Sequence, residues 1–343
     1  MYKALRSLSS ISPEELDQYL ARGWYRMDQH IFTTPFLQEE GFVFRDTIWL
    51  RHRLSAFQFP KWFRKMKKDL QFSVEIADAR PTAGHEFLYQ LYRESKPEDW
   101  AESLEDILYG EKADTVFNTK MINIHCGEEL VAAGFFDMGA NSAAGIVNFY
   151  HPQYSRYSLG KYLYYLSVEF AISQGLEFFY PGYFAPGNPH FDYKLTMDKG
   201  SLEFYQAIYK AWYPIRLFKD EHLSLPLIEQ KLGGLYLSLE DMGMQTYFIY
   251  NAHYERQYNS TWDSPYAVYI VPNDPDNAHY AVIYDPANRR YYLFDCSDKP
   301  WIENLRVVEN KLVCLERLTL SKPICEDFHY STIIKKLQEL IEF

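Results

Sequence analysis

From Phe149 to Lys194 the chain reads FYHPQYSRYSLGKYLYYLSVEFAISQGLEFFYPGYFAPGNPHFDYK, and the residues that open its central helix have the types needed to hold an anion. The pattern predicts an apolar strand over Gly145 to Tyr150, a short polar turn, a helix opening at Ser158, and a second apolar strand over Leu176 to Phe184. The first turn of a helix has backbone N–H groups with no partner inside the helix, and it carries partial positive charge. Ser158, Leu159, Gly160 and Lys161 would therefore offer amides to a phosphate or another anion. Gly160 permits close approach to the backbone, and Arg156 and Lys161 supply cations beside it. A crossover helix with nothing bound at its start fits the same local pattern.

The elements around this stretch can be read from their periodicity. Leu159, Tyr162, Leu163, Leu166 and Phe170 share one helical face, and Gly175 is placed to end the last turn. Ser12-Pro13-Glu14-Glu15 has the form of a helix start, with Leu16, Tyr19 and Leu20 on the buried side. Trp24 to Phe36 and Gly41 to Leu54 alternate as strands do. After Pro81 a helix is expected with Phe87, Leu88, Leu91 and Tyr92 on one face, then a helical piece from Trp100 to Leu108. Three strands follow, Thr119 to His125, Leu130 to Met138 and Ala143 to Tyr150. This order defines an α+β fold.

Composition narrows the function. A net charge of -11 over 343 residues excludes a protein whose whole surface attracts nucleic acid, but it leaves room for a local patch. Such a patch stands between Arg45 and Arg80, where Arg51, Arg53, Lys61, Arg64, Lys65 and Lys68 are interleaved with Trp49, Phe57, Phe59, Trp62 and Phe63. Cations among flat side chains suit the phosphates and unstacked end of an RNA. The run also fits an amphipathic helix with Trp62, Phe63 and Met66 turned to the core. The four cysteines, Cys126, Cys296, Cys314 and Cys325, have no C-x-x-C spacing and read as reduced thiols. No signal-peptide run or membrane-length apolar stretch is seen, which sets the expectation of a cytoplasmic protein with no membrane partner.

Phe149-Tyr150-His151-Pro152, Ser158-Leu159-Gly160-Lys161-Tyr162, Tyr180-Pro181-Gly182-Tyr183 and Tyr193-Lys194 resemble, in that order, the C-terminal motifs of the arginyl-tRNA-protein transferase family. That family includes leucyl-transferring members, and its catalytic half is similar to the GNAT acyltransferase fold. The likeness extends more loosely from about Gly23 to about Tyr213.

The resemblance implies transfer of Arg or Leu from an aminoacyl-tRNA to the N-terminal amine of a protein, one with an acidic first residue. It implies donor binding by Arg156, Ser158, Leu159, Gly160, Lys161 and Tyr162. It makes Tyr183, Asp192, Tyr193 and Lys194 the candidate catalytic side chains. In this reading Asp192 takes the amine proton, a tyrosine donates to the oxyanion, and Lys194 holds an acidic side chain or a phosphate. Tyrosines packed between strand and helix, and an Asp192–Lys194 surface pair, are the plainer alternatives. His151 has the two readings of a donor-site residue and a turn residue.

The family's cysteine cluster is replaced here by Phe32-Thr33-Thr34-Pro35-Phe36, so no metal and no cofactor are expected. Packing of Phe32 and Phe36 would hold the loop instead. An acyl-CoA-dependent GNAT enzyme and a non-catalytic binding relative are the competing readings. The expected organisation is an N-terminal basic and aromatic segment (1–80), a GNAT-like catalytic domain (81–218) and a C-terminal α+β extension of unassigned role (219–343). In the extension, helices are expected at Leu223 to Leu232 and Ile333 to Ile341. Strands are expected at Gln245 to Asn251, Tyr266 to Val271, Ala278 to Tyr284 and Tyr291 to Phe294, with a turn at Asp285-Pro286-Ala287-Asn288.

Overall fold

The computed structural model describes residues 4–39, 43–68, 71–96, 101–111, 115–250, 253–256, 261–271, 278–296, 305–308, 311–314, 317–320 and 322–341. Strand β1 (Ala4–Ser7) and helix α1 (Pro13–Leu20) come first. Ser12 and Glu15 close a reciprocal capping box at the start of α1, as the Ser-Pro-Glu-Glu pattern requires. Strands β2 (Tyr25–Met27) and β3 (His30–Thr33) form a hairpin that pairs with β1. A second hairpin, β4 (Phe36–Glu39) and β5 (Val43–Asp46), follows; residues 41 and 42 of the expected strand lie outside the described residues.

The central sheet is built from β6 (Ile48–Arg53), β7 (Phe72–Asp78), β8 (Thr119–Cys126), β9 (Glu129–Met138), β10 (Ser142–Tyr150), β11 (Phe178–Phe184), β12 (Leu202–Gln206) and β13 (Ala211–Pro214). Their spatial order is 13-12-6-11-10-9-8-7. Helix α2 (Lys61–Met66) precedes β7, while α3 (Ala83–Glu94) and α4 (Leu104–Leu108) lie between β7 and β8. Helix α5 (Leu159–Ser173) crosses from β10 to β11, and α6 (Pro189–Asp192) follows β11. Trp100, expected in the α4 piece, lies outside the described residues.

The expected boundary at residue 80 does not match a break in the fold. β6 and β7 both precede it, yet β6 lies between β11 and β12 and β7 pairs along its length with β8. Local pattern cannot reveal such pairings, because their partners are more than a hundred residues away in the case of β6.

Helices cover both faces of this sheet, which is why β9 is buried along nearly its whole length instead of alternating. On one face α5 packs against Ile122, Val131, Phe136 and Ala143. On the other, α3 presents His85, Leu88, Tyr89 and Tyr92, with Tyr89 stacked edge-on against Phe149. Phe87, expected on that buried face, is 66% exposed one helical step away. Helix α1 and the β2–β3 hairpin continue the α3 face, packing on Ala144 and Tyr180. Arg26 of β2 locks the hairpin to the sheet. Its Nη1 donates to Asp137 Oδ1 and Thr119 Oγ1, each at 2.8 Å, with all three side chains buried.

The rest of the chain forms a second unit. Helix α7 (Ser224–Asp241) leads into β14 (Gln245–Tyr250), β15 (His253–Arg256), β16 (Thr261–Asp263), β17 (Tyr266–Val271), β18 (Tyr280–Asp285), β19 (Arg290–Asp295), β20 (Leu305–Val308), β21 (Lys311–Cys314), β22 (Arg317–Leu320), β23 (Cys325–Asp327) and α8 (Tyr330–Ile341). Seven of these strands make one sheet in the order 20-21-14-17-18-19-23, and the Asp285 to Asn288 turn joins β18 to β19 as expected. α7 runs past the expected end at Leu232, because Gly233 and Gly234 stay helical, with Tyr330 of α8 near Gly234.

The second unit docks on the β4–β5 hairpin. Phe36 enters its core, while Asp46 caps α7 by accepting from the amides of Ser224 (2.7 Å) and Leu225 (3.2 Å). Phe32 packs edge-on against Trp49.

Candidate active site

β10 and β11 run parallel, but they pair only through Ser142–Phe178, Ala143–Phe179 and Ala144–Tyr180. Both strands then bulge. β10 gains a residue between Gly145 and Val147 against β9, and β11 gains one between Phe179 and Gly182 against β6. A bulge bends its strand and increases local twist, so two bulges at one level drive the neighbours apart. The Tyr25 hydroxyl sits at the fork, where it contacts the Gly145 carbonyl oxygen and lies 2.8 Å from that of Tyr180. These carbonyls would otherwise be left unpaired where the ladder ends.

The parting strands open a slot of about 360 Å³. One end is made by the start of α5, with Ser155, Ser158, Gly160 and Lys161. The other end is made by Phe179, Pro181, His190, Tyr193 and Lys194, and the β10 edge from Gly145 to Asn148 forms a wall. The expected polar turn before α5 is a 3-10 helix, Pro152–Tyr157. Ser158 follows it in the left-handed region (φ 53°) and its side chain makes no cap bond, so the α5 amides face the slot without a side-chain oxygen over them. Among the described residues, no Asp or Glu lines the slot.

Two features of the slot are energetically costly for a fold and so point to a ligand. The Tyr164 hydroxyl is buried, lines the slot and has no hydrogen-bond partner among the described residues. An unsatisfied buried hydroxyl costs about 1–3 kcal/mol. Burial, with smaller effects from Tyr193, Tyr165 and Tyr25, raises its pKa well above the usual tyrosine value, so it stays a neutral donor.

Lys194 is the second feature. It is 9% exposed, and its Nζ donates to the Tyr183 carbonyl oxygen at 2.6 Å. The rings of Phe191, Tyr183 and Tyr193 surround it at 5.0, 5.5 and 5.9 Å. Burial lowers its pKa to about 7. Tyr193 is 41% exposed overall and lines the slot, and burial pushes its hydroxyl up to about 12. Behind Tyr164, His52 is fully buried and bonded to Ser201 Oγ through Nδ1 (2.8 Å); burial takes it down to about 3, so it remains neutral.

The structure thus brings Ser158, Gly160, Lys161, Tyr193 and Lys194 to one slot. It does not bring the other sequence candidates there. The side chains of Leu159 and Tyr162 belong to the core under α5, and Arg156 turns to the Tyr157 hydroxyl at 2.8 Å. Tyr183 offers its carbonyl to Lys194 while its ring packs edge-on against Trp49 at 5.2 Å. Asp192 is exposed and outside the lining. His151 caps the 3-10 helix by accepting from the Gln153 amide.

Among the basic candidates, Arg51 is buried. It is paired with Glu203 at 2.7 Å and lies over the rings of Phe178 and Trp212. Arg53 reaches Glu177 and Glu203. Lys61, Arg64, Lys65 and Lys68 are exposed on and just after α2, whose Phe63 is buried against α5. Tyr25, Tyr164 and His190 were not among the sequence candidates. Only Tyr164 carried a signal, a tyrosine in a helix that has no polar face. Among the described residues, no three His, Cys, Asp or Glu side chains form a metal-holding group.

The fold and slot define an α+β protein with a cleft at a strand fork and a helix start. Residues 84–203 match the family described as arginine-tRNA-protein transferase, C terminus. The aspartate/glutamate leucyltransferase of Leptospira interrogans (serovar copenhageni) is 25% identical over 179 residues, covering 48% of this chain and 70% of that protein. The enzyme of the same name from Paracoccus denitrificans is 25% identical over 250 residues, 66% of this chain and 86% of that one. Among solved structures, L-PGS from Bacillus licheniformis is 12% identical with a TM-score of 0.30, over 40% of this chain and 45% of that one. A GCN5-related N-acetyltransferase from Kribbella flavida is 14% identical with a TM-score of 0.25, over 46% and 55%. The chain spans about half the length of these two structures.

Proposed function

We propose that the slot receives the aminoacyl ester at the 3′ end of a charged tRNA and passes its amino acid to the N-terminal amine of an acceptor protein. The observation that carries this reading is a buried lysine and an unpartnered tyrosine hydroxyl facing one slot at a helix start, inside the segment matched to the family. The α5 amides and Lys161 would hold a terminal phosphate of the donor. As the amine nitrogen bonds to the ester carbon, the carbonyl oxygen gains charge, and the Tyr164 and Tyr193 hydroxyls are placed to donate to it. The C–O bond to the ribose then breaks and an amide remains. No side-chain nucleophile is needed, because the ester is already activated.

Charge supports the finer assignments. A slot lined, among the described residues, by two lysines and no carboxylate leaves an arginyl guanidinium without a partner, while an aliphatic group can pack on Ile146, Val147 and Phe179. The charge of Lys161 and the positive start of α5 favour an acceptor that begins with Asp or Glu. We therefore assign leucyl over arginyl transfer to acidic N-termini, which agrees with the names of the relatives. Lys61, Arg64, Lys65 and Lys68 present the exposed cations that would follow the tRNA backbone. Charged tRNA places the reaction in the cytoplasm.

Incubation with radiolabelled leucyl- or arginyl-tRNA and peptides beginning with Asp, Glu or Ala tests this. Label is expected in the acidic peptides from the leucyl donor, and no label from either donor sinks the reading. A glycine and a lysine at the α5 start would also suit the pyrophosphate of an acyl-CoA. Thermal stabilisation by CoA and not by tRNA would favour that second reading.

A further inference from the structure

An α-ammonium has no lone pair, so an aminoacyl ester and a protein N-terminus can become an amide only after a proton has been removed. Granting the transfer reading above, the slot offers few places for that proton. Among the described residues, neither Asp nor Glu lines it. The Tyr164 and Tyr193 hydroxyls are held protonated by burial and act as donors. His190 stands at an exposed position on α6. The expected base, Asp192, is turned to solvent outside the lining.

Lys194 remains, and its contacts suit the task. Nζ donates to one backbone carbonyl, that of Tyr183, and lies 3.4 Å from where a Cβ on Gly182 would stand. Gly182 has φ +87°, so a side chain there is disfavoured, and the approach of Nζ to the strand is kept open. A carbonyl accepts from a charged or a neutral amine alike. The contact therefore fixes Nζ in both states and leaves the lone pair of the neutral state free for the slot.

The titratable groups facing Lys194 are Tyr25 from β2, Tyr164 from α5, Tyr183 from β11, Tyr193 and His190 from its own stretch, and Lys161 across the slot. Asp198 is felt at Tyr164, whereas burial is what shifts Lys194. None of the facing groups is a carboxylate that would hold the lysine charged.

We propose that Lys194 is the general base of the transfer, its neutral amine taking the proton from the acceptor's α-amine as the C–N bond forms. The acceptor's ammonium first loses one proton to bulk water, and from that neutral amine the balance closes without another reactant. Lys194 gains the proton lost by the attacking nitrogen, then returns it to the ribose oxygen as the ester C–O bond breaks, which leaves an amide, a free hydroxyl and a neutral lysine. The rival role, a fixed positive charge that holds an acidic side chain of the acceptor, needs the opposite protonation state.

The two roles separate in one set of measurements on the full chain, with leucyl-tRNA and an Asp-initiated peptide. Lys194→Arg keeps the charge and cannot accept a proton. Its kcat is expected to fall by roughly 10²-fold with peptide KM within about twofold. Wild-type kcat is expected to rise from pH 6 to a plateau above about 7.5, and that limb disappears in the variant. A variant with kcat within fivefold of wild type, or one that loses only KM, overturns the proposal in favour of a charge role. Should the variant not fold, the wild-type profile decides, since a flat kcat from pH 6 to 9 also overturns it. A wild type that transfers nothing from any donor fails earlier, and that failure belongs to the transfer reading itself.

Discussion

The Tyr25 hydroxyl lies 2.8 Å from the Tyr180 carbonyl oxygen, at the last paired level of β10 and β11. A residue of the N-terminal hairpin thus holds the fork from which the slot opens. The Tyr25 ring stacks on Trp49 at 5.4 Å, so its position is set by β6 as well. Tyr25→Phe removes only the oxygen and with it the contact that bridges the Gly145 and Tyr180 carbonyls. We expect kcat to fall about tenfold through misplacement of the slot walls, with peptide KM nearly unchanged and stability lower by about 1–3 kcal/mol. Steady-state kinetics and urea unfolding of the variant check both numbers.

Tyr164→Phe should behave in the opposite way on stability. Among the described residues its hydroxyl has no partner, so removing it relieves a buried orphan, and the melting temperature should hold or rise. Transfer should still drop by roughly 10²-fold if the hydroxyl donates to the oxyanion. A variant that is both stable and fully active would remove Tyr164 from the chemistry.

The exposed cations of α2 should act on donor binding alone. With Lys61, Arg64, Lys65 and Lys68 all changed to Ala, tRNA affinity should weaken, and the slope of log K against log salt should flatten by about 0.7–0.9 per lost phosphate contact. kcat at saturating donor should hold. Arg51→Ala is the contrasting case, because that guanidinium is buried against Glu203, and its loss should lower stability without a specific effect on the salt slope.

Asp46 makes the joint to the second unit sensitive to pH. Burial, only partly offset by the amides of Ser224 and Leu225, raises its pKa from 3.8 to about 6. The folded state then holds a proton that the unfolded chain releases, so this group's contribution to stability falls as pH rises from about 4 to about 6 and is level above. The span corresponds to roughly 3 kcal/mol. Asp46→Asn keeps one acceptor oxygen and should lack this part of the pH dependence, which urea unfolding at pH 4 to 7 of wild type and variant will show.

What the sequence revealed follows from how far apart the interacting residues are. The capping box of α1, the β8 to β10 meander and the start of α5 are local patterns, and each was legible. The fork was not, because Tyr25 meets Gly145 and Tyr180 only after the sheet has formed. Composition marked Arg51 as a cation on offer, but Glu203, its partner, is far along the chain and neutralises it. The helical stripe of α5 named Tyr162 and passed over Tyr164. That helix is covered on more than one side, so its apolar stripe does not tell core from slot.

The placement of β6 has a consequence for anyone cutting this protein into pieces. β11 forms the outer wall of the slot and has β10 on one side and β6 on the other. A fragment beginning at residue 81 would keep every motif of the catalytic stretch, yet β11 would have a bare flank of unpaired amides and carbonyls along its side. Such a fragment should clump through strand-to-strand adhesion instead of working as a minimal enzyme.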